Sequence, residues 1–184
     1  MLIIGITGTL GAGKGTIVEY LKRKKDFRHY SVRAFLIKEI EKRGLPVNRD
    51  SMTAVANQLR SQHHPAYIVE QLYHEALAAG QNAVIESIRT PGEVEFLRKQ
   101  GNFYLFAVDA DPKVRYQRIR QRGSATDHID FETFLANEAR EMTTTDPNKQ
   151  NLAQCIRMAD FRFDNNGDVA SLYAGVDKVL KQIS

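Results

Sequence analysis

Two rhythms of apolar residues run through this chain. Short continuous apolar runs alternate with longer stretches in which apolar positions return every three or four residues. The runs predict strands near 2–7, 29–32, 82–86, 103–109 and 161–164. The periodic stretches predict helices near 14–25, 33–43, 51–61, 65–79, from Pro91 through Leu97, 112–122, 131–142, 149–158 and 168–182. Breakers mark the joints. Pro91 and Pro112 suit first helical positions, and Asp111 suits an N-cap. Gly123 to His128 forms a polar loop, and Asn165-Asn166-Gly167 a turn. Alternating β and α elements with nearly unbroken apolar strands predict an α/β domain whose parallel sheet is covered on both faces. In such sheets ligands bind beyond the carboxyl ends of the strands. The positions to watch are therefore Gly8 to Thr16, Arg33, Glu86 to Arg89, Asp109 and Asn165.

The first of these segments reads Gly8-Thr9-Leu10-Gly11-Ala12-Gly13-Lys14-Gly15-Thr16. It follows the run Leu2 to Thr7 and leads into Ile17, Val18 and Leu21 at helical spacing. A strand, a glycine loop and a helix together make a phosphate site, because loop N–H groups converge on an anion at a positive helix end. Lys14 adds a mobile charge for the outer phosphates. The pattern G-x-x-x-x-G-K-[ST] is met at Gly8, Gly13 and Lys14. Gly15 stands where a magnesium-binding hydroxyl belongs, and Thr16 follows one residue late. Gly15 cannot ligate magnesium, so phosphates, waters and a distant carboxylate are expected to hold the metal. Gly8, Gly11, Ala12, Gly13, Lys14, Gly15 and Thr16 are the expected ATP-binding residues.

Composition narrows the setting. The 184 residues suit one domain, read as spanning 1–184, and carry a net charge of +4. That balance suits anionic ligands. The densest basic run, Lys22 to Lys25, sits where a helix should end and complements its dipole. No aromatic interleaves it, so nucleic acid is disfavoured as a partner. A single cysteine, Cys155, excludes an internal disulfide framework and reads as a buried small hydrophobe. No stretch approaches the roughly 20 apolar residues of a membrane span, and the chain opens directly in a strand. A cytoplasmic protein is expected, as a monomer or homodimer.

Glu86-Ser87-Ile88-Arg89-Thr90-Pro91 is the second chemical feature. A carboxylate at a strand end beside the glycine loop can order magnesium's water shell, and an arginine can fork onto phosphate. A surface Glu–Arg pair is the plainer alternative. The third feature is the run Arg115, Arg118, Arg120 and Arg122. Arg115, Arg118 and Arg122 share one helical face, which serves either the transferring phosphate or solvent. His63 and His64 point apart on a helix, and His74 meets only Glu70 at i,i+4 spacing. They make a poor metal site.

The loop 8–16 resembles that of adenylate kinase and related nucleoside monophosphate kinases. Residues 86–91 resemble the Asp-Gly-x-Pro-Arg stretch of adenylate kinases and, more closely, the Asp-Gly-Ile-Arg-Ser segment of archaeal adenylate-kinase-like proteins. Glu86 takes the Asp position and Arg89 the Arg position. Residues 159–168 resemble a segment of dephospho-coenzyme A kinases and of the archaeal family. The resemblance implies a P-loop three-layer α/β/α fold with a five-stranded sheet in the order 2-3-1-4-5. It also implies an acceptor-binding segment over 33–80 and a short lid over 122–131. Arg118 would stack on the donor adenine, Arg122 would contact donor phosphates, and Asn165 or its neighbours would meet adenine through backbone groups. Lys14, Arg118, Arg122 and Glu86 would be catalytic, with Glu86 reaching Mg2+ through water. Arg33, Arg60 and Arg89 would hold the acceptor. Arg49, Asn57 and Gln58 are candidate readers of a base edge, and Arg140 a weaker returning arginine.

The expected activity is transfer of the γ-phosphoryl group of ATP to a nucleoside or deoxynucleoside monophosphate. One alternative is a dephospho-coenzyme A kinase, mildly disfavoured because that family's loop usually ends Gly-Lys-Ser-Thr. The other is an ATP-binding regulator acting on RNA or protein.

Overall fold

The computed structural model describes residues 1–124 and 127–183. Ala125 and Thr126, part of the expected lid, lie outside the described residues. The chain runs β1 (Ile3–Gly8), α1 (Lys14–Lys25), β2 (Arg28–Ser31), α2 (Val32–Lys42), α3 (Arg49–Gln62), α4 (Tyr67–Ala79), β3 (Ala83–Glu86) and α5 (Pro91–Lys99). It continues through β4 (Phe103–Asp109), α6 (Pro112–Arg122), α7 (Phe131–Met142), α8 (Leu152–Met158), β5 (Phe161–Asp164) and α9 (Val169–Ile183). All pairings are parallel, in the order β2-β3-β1-β4-β5. The expected sheet order and element sequence are met.

Strand alternation builds the two cores. Ile3, Ala83, Ile85, Phe103 and Leu105 face one side, packed under α2, α3, α4, α5 and α8. Leu2, Ile4, Ile6, Val84, Phe106 and Val108 face the other, against α1 and α9. The central strand β1 is buried at every position, as a strand covered on both faces requires. Truncating one of its isoleucines to alanine would cost about 2–5 kcal/mol.

Helix starts are written locally. Thr90 and Glu93 form a reciprocal capping box on α5 with Pro91 at the helix start. Asp111 accepts from the Lys113 N–H ahead of α6, again followed by proline. The predicted helix over 149–158 is shorter, because Asn151 accepts from the Gln154 N–H and caps α8. Between α6 and α7, Gly123 ends the first helix in a left-handed turn, and Asp130 caps the second.

The basic run at the end of α1 is a solvated face with local partners. Lys22 and Arg23 pair with Glu19, and Lys25 pairs with Asp177. His64, rather than His74, meets Glu70 at 2.9 Å, while His63 stacks on Tyr67. Cys155 is buried, and burial pushes its thiol up to about 12. Among the described residues no helix is long and apolar enough to cross a membrane.

Candidate functional site

The parallel strands deliver β1, β3 and β4 to one edge of the sheet, and a cleft of about 680 Å³ opens there. It is lined by the glycine loop, Arg33, Arg49, Glu86, Ser87, Arg89, Arg118 and Arg122. A second cavity of about 110 Å³ adjoins it and shares Leu10, Arg33, Arg49, Ser87 and Arg89.

The loop's shape depends on two glycines. Gly8 has φ +143°, and a Cβ there would stand 2.0 Å from the Val108 carbonyl oxygen. Gly13 has φ +109° as the N-cap of α1, and a Cβ would meet Asn165 Nδ2 at 2.4 Å. Both positions therefore exclude side chains. Among the described residues no side chain caps α1, so the helix opens uncapped at the loop that lines the cleft. Lys14 Nζ folds back and donates to the Gly8 and Thr9 carbonyls at 2.9 and 2.8 Å. Burial, with Arg89 nearby, lowers its pKa to about 7.

Glu86 ends β3 at the cleft. His29, on the neighbouring strand β2, donates from Nε2 to Glu86 Oε2 at 3.0 Å. Burial raises the Glu86 carboxyl, but His29, Lys14 and Arg89 outweigh it and hold the group below its ordinary value. Glu86 is thus an ionised carboxylate facing the loop. Among the described residues no group of three or more His, Cys, Asp or Glu is placed to hold a metal directly. One ionised carboxylate beside a loop with glycine at the hydroxyl position fits a hydrated magnesium ion carried by phosphates.

The arginines divide by role. Arg118 donates to the Asn165 carbonyl oxygen at 2.7 Å, and its buried Nη1 has no partner among the described residues. Arg122 forms a two-point pair with Asp127 at 2.8 and 2.7 Å. Burial opposes ionisation of Asp127, but Arg122 and Ser124 hold its carboxyl at about 2. Arg115 departs from the expected face. It is buried, donates to the Ala110 and Leu10 carbonyls, and pairs with Glu138 of α7. It braces α6 against the loop and α7. Arg140 makes an exposed contact with Asp50 at 3.3 Å.

Asn165 lies elsewhere than at a free base edge. Its backbone N–H goes to the Asp109 carbonyl, its carbonyl accepts from Arg118, and its Nδ2 donates to the Ala12 carbonyl at 2.8 Å. Its N–H and one lone pair of its carbonyl are engaged inside the protein, which leaves the carbonyl's second lone pair and the neighbouring residues for the expected backbone contact to adenine. The residue straps the glycine loop to the turn after β5.

On the other side, Arg89 Nη1 donates to Glu141 Oε2 at 2.6 Å and to Gln150 Oε1 at 3.1 Å. Arg49 Nη2 donates to Glu141 Oε1 at 2.7 Å. Burial raises the Glu141 carboxyl, but Arg89 and Arg49 outweigh it and keep it low. Arg33 lines both cavities; burial and the nearby Arg122 and Arg49 charges lower its pKa. Arg60 is buried in the smaller cavity's wall and pairs with Glu93 at 3.0 Å. Glu93 also accepts from the Arg89 and Thr90 N–H groups.

Three residues of the candidate site lie outside the motifs, and two of them carry no local signal. His29 and Glu141 bind their partners across 57 and 52 residues of chain. Glu93 had a signal, since Thr90 and Glu93 match the capping-box spacing.

Comparison with known proteins agrees with this architecture. The sequence model of the AAA domain family matches residues 4–146. A UPF0200 protein of Methanocaldococcus jannaschii is 30% identical over 100% of this chain and 91% of the relative. A UPF0200 protein of Pyrobaculum aerophilum is 30% identical over 98% of both chains. Among solved structures, TT1252 from Thermus thermophilus aligns with a TM-score of 0.64 at 20% identity, covering 100% of this chain and 98% of that one. Shikimate kinase from Bacteroides thetaiotaomicron aligns at 0.57 and 16% identity, covering 98% of each chain. A gluconokinase from Sinorhizobium meliloti aligns at 0.57 and 16%, covering 99% and 95%. These likenesses establish the fold as P-loop kinase-like. A family match over most of the chain and full-length relatives at this identity make the protein a member of the AAA domain family, among the UPF0200 proteins.

Proposed function

We propose that this chain transfers the γ-phosphoryl group of ATP to a small acceptor that already carries a phosphate, a nucleoside or deoxynucleoside monophosphate. The observation that carries this reading is one continuous cleft. The glycine loop, Lys14, Arg33, Arg89, Arg118 and Arg122 all line it. Phosphoryl transfer spreads negative charge over the equatorial oxygens, and clustered fixed cations stabilise that charge.

In this reading the N–H groups opening α1 and Lys14 hold the donor phosphates. Arg118 and Arg122 neutralise the group in flight, and Arg33 and Arg89 grip the acceptor phosphate. An acceptor phosphate oxygen attacks the γ-phosphorus, and the bond to the β–γ bridging oxygen breaks. ADP leaves with the electron pair. The attacking oxygen is already anionic, so no general base is required. Magnesium, when bound, screens the donor phosphates, and Glu86 would order its waters. The whole chain acts as one domain, with 33–80 as acceptor segment and 122–131 as lid.

A coupled ADP-release assay against nucleoside monophosphates, their deoxy forms and dephospho-coenzyme A tests the proposal. Release that depends on a nucleoside monophosphate supports it. Release with dephospho-coenzyme A alone moves the activity to that acceptor. Release indifferent to every acceptor refutes small-molecule transfer and indicates an ATPase acting on RNA or protein.

A further inference from the structure

The smaller cavity carries a chemical preference of its own. Val32, Leu36, Met52 and Ala56 wall it with apolar surface, and its polar lining includes Arg60 and Arg49 beside Glu141 and Gln150. Arg60 is 2% exposed, yet its Nε and Nη1 have no hydrogen-bond partner among the described residues. Arg49 Nε is likewise buried and has no partner among them. Guanidinium nitrogens only donate. Leaving a buried charged donor unpaired is costly, so these groups call for an acceptor atom on a ligand.

Arg60 already has its counter-charge. Glu93 answers Arg60, and Glu141 lies between Arg49 and Arg89. A second carboxylate at Arg60 would be in excess, whereas a neutral carbonyl oxygen satisfies the donors without adding charge. The cavity's about 110 Å³ is small beside the 680 Å³ of the main cleft, which fits a flat ring in place of an extended chain.

Building on the phosphotransferase reading, we propose that Arg60, supported by Arg49, makes the acceptor site selective for nucleobases that present a ring carbonyl over bases that present an amino group at that position. An amino group would set donor against donor and leave the arginine unsatisfied.

Matched pairs differing only in that group test this with the intact protein. UMP is compared with CMP, and IMP with AMP, both in turnover with ATP and in calorimetric binding beside a non-hydrolysable ATP analogue. The oxo member of each pair is expected to win by roughly 10- to 100-fold, the worth of one hydrogen bond from a charged donor. Arg60→Lys keeps a cation opposite Glu93 but removes the guanidinium donors, and should shrink the ratio several-fold. Equal use of both members of each pair, or failure of all four to bind, overturns the proposal. An oxo preference that Arg60→Lys leaves intact overturns the assignment to Arg60. If Arg60→Lys does not fold, the matched pairs on the native protein decide. Selective binding without turnover would refute phosphoryl transfer and leave the carbonyl assignment standing.

Discussion

Lys14 titrates near neutrality in the unliganded protein, and this makes ATP binding a proton-coupled event. The amine is drawn into the loop against the Gly8 and Thr9 carbonyls, and burial with Arg89 nearby lowers its pKa to about 7. A neutral amine still has N–H groups for both carbonyls. When polyphosphate fills the loop, the anion restores the charged form and Lys14 takes up a proton. With a pKa of about 7, binding at pH 8 should absorb about 0.9 proton per site, and at pH 6 only about 0.1. Calorimetry with magnesium-ATP in two buffers of different ionisation enthalpy reads this directly. Lys14→Arg stays charged throughout and should bind without uptake. The same linkage acts on stability. The unfolded lysine has its ordinary value of 10.5, so between about 7 and 10.5 the unfolded chain binds the extra proton. Stability of the unliganded protein should therefore rise with pH across that window, by at most about 1.4 kcal/mol per pH unit. A binding enthalpy at pH 8 that is the same in both buffers would refute the reasoning.

Other perturbations separate the parts of the site. Asn165→Ala leaves the Ala12 carbonyl without its buried donor, a loss of about 1–3 kcal/mol, and should lower Tm by several degrees while raising the KM for ATP more than that for the acceptor; an unchanged KM for ATP would remove its strapping role. Arg89→Ala should raise the acceptor KM or lower kcat far more than it weakens ATP binding, and equal loss of ATP affinity would sink the acceptor role. Ser87 sits at φ 72°, where the resembling families carry glycine. Ser87→Gly should stabilise by up to about 1 kcal/mol, since relief of left-handed strain exceeds the added chain entropy, and a thermal melt showing a lower Tm would contradict this.

Local signals were enough for the elements. Pro91, Pro112 and the side chains of Thr90 and Asp111 mark helix starts that the structure places where the sequence predicts them. Where reading and structure part, the cause is a partner distant in sequence. Arg115 shares its helical face with Arg118 and Arg122, yet Glu138 and two carbonyls bury it, because α7 packs across the start of α6. Asn165 looks like a plain turn residue until Asp109 of β4 takes its N–H, Arg118 bonds its carbonyl and the glycine loop takes its side chain.

The sequence by itself determined the strand–glycine-loop–helix unit and the parallel α/β sheet. Each of these rests on residues adjacent in the chain or on a fixed period, which local sterics and burial of one face enforce. Tertiary structure alone decided which charges stay available to a ligand. His29 meets Glu86, Glu141 bridges Arg49 and Arg89, and Glu93 neutralises Arg60. Each pairing joins residues that chain spacing leaves independent, and only the packing of helices over the sheet brings them within hydrogen-bonding distance.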